Sequence, residues 1–76
     1  MNLYNALHNI KKQHGLHEKT VLKIVCTDGQ ILRGTYCNYV QALDNEPEIA
    51  EVDIRDLRTT GLIGILETEI DSISVE

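Results

Sequence analysis

The sequence predicts a mainly β protein: one N-terminal α-helix followed by five short strands in a strongly bent antiparallel barrel. Three observations predict it. Apolar residues recur at helical spacing only near the start of the chain. From Thr20 onward, β-branched and aliphatic residues alternate with polar ones. The 76 residues suffice for one domain only, so residues 1–76 are read as a single unit.

Leu3, Leu7 and Ile10 stand at i, i+4 and i+7 with Ala6 beside them, which makes residues 3–14 an amphipathic helix. Asn2 is placed to cap its start. Gly15 is placed to end it in the left-handed conformation, with Leu16 supplying the apolar contact beyond. A helix of three turns is marginal alone in water, so its apolar stripe must pack on a sheet.

Strands are expected at 20–27, 31–40, 48–55, 61–66 and 70–75. Asp28-Gly29 between two apolar runs marks a hairpin. A three-residue loop of Asp28, Gly29 and Gln30 pairs 26 with 32, 24 with 34 and 22 with 36. That register puts Leu22, Ile24, Cys26, Leu32, Gly34 and Tyr36 on one face, and Lys23, Thr27, Arg33 and Thr35 on the other. Gly34 inside the second strand marks a bend or a close backbone approach. Asp44-Asn45-Glu46-Pro47 is a turn by composition. Ala50, Val52 and Ile54 then alternate with Glu51, Asp53 and Arg55, Thr59-Thr60-Gly61 breaks the chain again, and a tight turn at 67–69 leads into the last strand. Helix first and five short strands after it fit a small barrel with the helix closing one end.

The net charge of −5 opposes indiscriminate binding to a phosphate backbone. It is unevenly spread. Residues 1–34 carry five cations against two carboxylates, and residues 35–76 carry two arginines against ten carboxylates. Such a division fits either ordinary solvated surface or an acidic face that recognises a basic partner. No apolar run reaches the roughly 18 residues a membrane span needs. Without a secretory leader at its start, the chain is read as cytoplasmic.

Cys26 faces inward and Cys37 outward in this register, so no disulfide is expected between them. No Cys/His spacing suits structural zinc, and His8, His14 and His17 lack the i, i+4 arrangement, so neither metal nor cofactor is expected. Tyr36 and Tyr39, three apart, lie on opposite faces of an uninterrupted strand. Tyr36 is then core, and Tyr39 is either an exposed stacking surface or, after a bulge, core as well.

The stretch from Thr27 to Tyr36, an apolar strand ending in a DG turn followed by an apolar residue and a glycine in a bent second strand, resembles the first half of the Sm motif. The N-terminal helix and the closing Ile70-x-x-Ile73 are similar to the same Sm-like, SH3-like small barrel. The outline together with an acidic balance is also similar to the small Rho-binding antiterminator proteins. That resemblance implies a barrel that contacts a protein partner. The Sm-like RNA site does not carry over: the region Cys37 to Asn45 lacks its Asp, stacker and Asn pattern, and Leu66-Glu67 stands where a basic residue and glycine would be.

No Gly-rich phosphate loop and no nucleophile–base set appears. The chain is read as a non-enzymatic, regulatory binding module for a protein with a basic surface, through Glu46, Glu48, Glu51, Asp53 and Asp56, or through strand addition at an unpaired edge. The same carboxylates, alternating with apolar residues, also fit a plain solvated strand face. An Sm-like nucleic-acid-binding oligomer using Lys23, Arg33 and Tyr39 is the alternative. A mobile-element inhibitor that mimics nucleic-acid phosphate is a further one. A homo-oligomer fits each, because barrels this small gain stability by associating.

Overall fold

The computed structural model describes all residues from Met1 to Glu76. Helix α1 (Leu3–His14) is followed by β1 (Val21–Cys26), β2 (Ile31–Val40), a 3-10 turn at Ala42–Asp44, β3 (Glu51–Asp56), β4 (Leu62–Leu66), a second 3-10 turn at Glu67–Glu69, and β5 (Ile70–Val75). The protein is therefore mainly β, with one helix and five antiparallel strands. Asn2 caps α1, its side chain accepting from the Asn5 N–H at 3.0 Å. Gly15 ends the helix at φ 81°, ψ 152°, which is not the left-handed helical conformation expected. Its N–H instead donates to the Lys11 carbonyl as the last turn of the helix itself.

The strands form one sheet in the order β4-β3-β2-β1-β5. It is not closed into a barrel, in contrast to the expectation. Closure needs a ladder between β4 and β5, and these two edges share none. The connection explains why: three residues at 67–69 turn the chain off the β4 edge, and the Thr27 N–H donates to the Glu69 carbonyl, which delivers β5 to the far side of β1. Leu3, Leu7 and Ile10 of α1 complete the core by packing with Leu22, Ile24, Cys26, Leu32, Val52, Ile54, Ile65 and Ile70. The helix covers apolar sheet surface that a closed barrel would bury against itself.

The first hairpin keeps the expected faces but not the expected register. Leu22 pairs with Gly34 and Ile24 with Leu32, two residues from the predicted partners. The three loop residues are Thr27, Asp28 and Gly29: the Cys26 N–H donates to Gln30 O at 2.8 Å and the Gly29 N–H to Cys26 O at 2.9 Å. Gly29 has φ 89°, the positive value that closes such a loop. Asp28 braces it by accepting from the Gln30 N–H. A slip of two leaves inward and outward residues unchanged, so alternation alone does not distinguish the registers.

Gly34 is required by a close approach. A Cβ there would fall on the Arg55 carbonyl oxygen and within 3.0 Å of Ile54 Cδ1. Two residues further on, the β2–β3 register shifts: Tyr36 pairs with Ile54, Asn38 with Asp53 and Tyr39 with Val52. Cys37 is thus the extra residue of a bulge. The bulge turns Tyr36 and Tyr39 to the same, helix-facing side of the sheet.

Candidate interaction surfaces

Strand β3 presents Glu51 and Asp53 on the outer face, two residues apart, while Val52 and Ile54 are buried beneath. Both carboxyl groups lie over Gly64 of the edge strand β4. A Cβ at Gly64 would come within 2.6 Å of Glu51 Oε2 and 3.1 Å of Asp53 Oδ1. The two carboxyls share a hydrogen bond. Desolvation, that hydrogen bond and the neighbouring Glu51 charge push Asp53 up to about 6. Glu51 is lowered, because it accepts from Asp53 and from Asn45, whose Nδ2 lies 3.2 Å from Glu51 Oε1. The same Asn45 amide donates to the Ile49 carbonyl at 2.9 Å, tying the loop 41–50 to the pair.

The other acidic residues singled out in the sequence divide. Glu46 and Glu48 are exposed in that loop. Asp56 does not belong to the solvated face: it follows Val52 and Ile54 inward and is 3% exposed. Its Oδ2 accepts from the Thr59 N–H at 3.2 Å and the Thr59 hydroxyl at 2.9 Å, so it braces the turn between β3 and β4. Those hydrogen bonds hold its pKa below the usual value. The spacing Asp56-Leu57-Arg58-Thr59 carries the signal, an Asp opening a turn whose third following residue offers a donor.

Lys23 and Arg33 share the outer face, as expected, and the observed register sets them directly opposite each other. Arg33 Nε is paired with Glu76 Oε1 at 2.7 Å. Tyr39 is not with them. It lies on the opposite face beside α1, so the three residues of the nucleic-acid alternative do not form one surface.

Tyr39 instead belongs to a groove that the sequence reading did not assemble. Tyr4, Leu7, His8, Lys11, Leu16, Tyr36 and Tyr39 line a depression of about 160 Å³ between α1 and β2. Tyr4 stacks on His8, with ring centroids 5.9 Å apart and an interplanar angle of 11°, and meets Tyr39 at 6.1 Å and 60°. All three aromatic residues of a chain without Phe or Trp therefore surround one depression. Tyr4 is 58% exposed. None of the seven lining residues is a carboxylate, and Lys11 stands among them. The signal in the sequence is a second stripe, Tyr4, His8 and Lys11, at the same i, i+4, i+7 spacing as Leu3, Leu7 and Ile10. The bulge at Cys37, which brings Tyr39 to this side, has no comparable signal.

The other histidines lie elsewhere: His14 ends α1, and His17 Nδ1 accepts from the Lys19 N–H at 3.2 Å. Cys26 is buried and Cys37 exposed, both as free thiols. No helix is long and apolar enough to cross a membrane. Fold and surfaces together define a helix-covered open antiparallel sheet with an acidic pair at one edge and an aromatic groove against the helix. No family model, no curated protein and no solved structure matches the chain.

Proposed function

We propose that this chain is a non-enzymatic, regulatory interaction domain of the Sm-like, SH3-like kind, acting in the cytoplasm on a protein partner with a basic surface. The observation that carries the reading is the Glu51–Asp53 pair. Two carboxyl groups are held side by side over the edge strand β4 without an ion pair to any cation of the chain, the two ion pairs being Arg33–Glu76 and Arg58–Asp56, while Arg55, next on the same face, donates to the Thr60 carbonyl at 2.8 Å. A Lys or Arg from a partner would offset the burial and the neighbouring Glu51 charge that raise Asp53. Glu46 and Glu48 extend the negative surface. The adjacent β4 edge offers main-chain groups for an added strand, so charge and backbone pairing would act on the same partner segment.

The test is an anisotropy titration of a labelled lysine- and arginine-rich extended peptide with the purified protein, at low and physiological salt. Saturable binding is expected, weakened at least about fivefold by the Glu51→Gln, Asp53→Asn double variant, with a shallower salt dependence. Equal binding by that variant would sink the reading.

A further inference from the structure

Leu43 is the most exposed large apolar side chain of the protein, at 80% exposure, on the 3-10 turn Ala42–Asp44. Carboxylates flank it: Asp44 follows directly and Glu46 lies two further on. Gln41 Nε2 donates to Asp44 Oδ2 at 2.7 Å, which fixes the turn and directs its charge. The chain thus carries an aliphatic knob with an anionic rim. It also carries a depression with aromatic walls, an apolar floor of Leu7 and Leu16, and a cationic rim at Lys11. Knob and depression are opposite in shape and in charge.

We propose that a second copy of this chain occupies the groove, with Leu43 of each copy seated among Tyr4, Tyr36 and Tyr39 of the other and Asp44 beside Lys11. At about 160 Å³ the depression suits one branched side chain rather than a drug-sized ligand, which needs roughly 300 Å³ or more. Leu43 lies on the turn that follows β2, the strand that carries Tyr36 and Tyr39, and in a two-fold contact the knob of each copy meets the groove of the other. Tyrosines with a desolvated neighbour are also the residue type that concentrates binding energy at interface centres. The contact uses neither the Glu51–Asp53 pair nor the β4 edge, so it stands independently of the function proposed above.

Sedimentation velocity of the full chain from micromolar to millimolar concentration provides the test. The weight-average mass is expected to rise from the monomer value of 8.6 kDa toward twice that. Leu43→Ser and Tyr4→Ala, both at exposed positions, are each expected to raise the dissociation constant roughly tenfold. Lys11→Glu and Asp44→Lys each weaken the dimer, and their combination in one chain restores it. Glu51→Gln with Asp53→Asn leaves it unchanged. A monomer at every concentration overturns the proposal. So does association that ignores Leu43→Ser but is lost on Leu62→Lys, because that result places the contact at the sheet edge.

Discussion

Asp53 is the side chain whose charge the fold opposes most directly. Its pKa rises from 3.8 to about 6, so between those values the folded chain keeps a proton that the unfolded chain has released. The contribution to stability is therefore present below about pH 4 and lost as pH rises through about 6. Asp53→Asn is expected to flatten that decline and to stabilise the protein above pH 6 by on the order of 1 kcal/mol, read from urea unfolding at pH 4, 6 and 8. Asp56 acts in the opposite sense. Its lowered pKa gives stability that is present above pH 4 and lost on further acidification, and Asp56→Ala is expected to lower the urea midpoint at pH 7 more than Asp56→Asn. The two thiols differ likewise. Burial, followed by the charges of Asp28 and Glu69, pushes the Cys26 thiol up, whereas Cys37 is exposed at the bulge. Alkylation followed by mass spectrometry should give one rapid adduct at Cys37 and a second only on unfolding. Alternation in the sequence was enough to place Glu51 and Asp53 outward. The same alternation places Asp56 inward, and only grouping it by charge with its neighbours obscured that.

Two glycines separate two reasons for the absence of a side chain. Gly29 needs a positive φ but has open space around it, so Gly29→Ala should cost about 1 kcal/mol from backbone strain. Gly34 meets the β3 backbone, so its alanine variant is overpacked and should cost about 1–3 kcal/mol, with the damage centred on the β2–β3 ladder. Chemical denaturation with amide chemical shifts distinguishes the two outcomes. Element boundaries were largely legible: α1, β2 and β5 match their expected ranges, because helical spacing, a DG turn and strict alternation mark their ends. Register was not. A two-residue slip preserves every face, and what selects among such registers is the turn geometry around Gly29 together with contacts across the sheet. The β2 bulge was open in the sequence for a similar reason, since only its pairing with β3 reveals the extra residue.

At the scale of the molecule, the unclosed sheet leaves β4 and β5 as edges, and β4 is the shortest strand, with five residues and one neighbour. Amides of β1 and β2, which pair on both sides and carry Leu22 and Ile24 in the core, should exchange only through global unfolding. Those of β4 should exchange earlier, as hydrogen-exchange mass spectrometry or NMR can measure. Strand content was readable from composition and alternation. Closure was not, because it depends on whether the first and last members of the sheet meet, a matter of curvature and helix docking that no local pattern encodes. The clustering of the aromatic rings adds a spectroscopic consequence. With tyrosines only at the joint between α1 and β2, near-ultraviolet ellipticity reports that joint and little else, while far-ultraviolet ellipticity reports the sheet and helix as a whole. A melt in which the first signal fades ahead of the second would time the departure of the helix from an otherwise intact sheet.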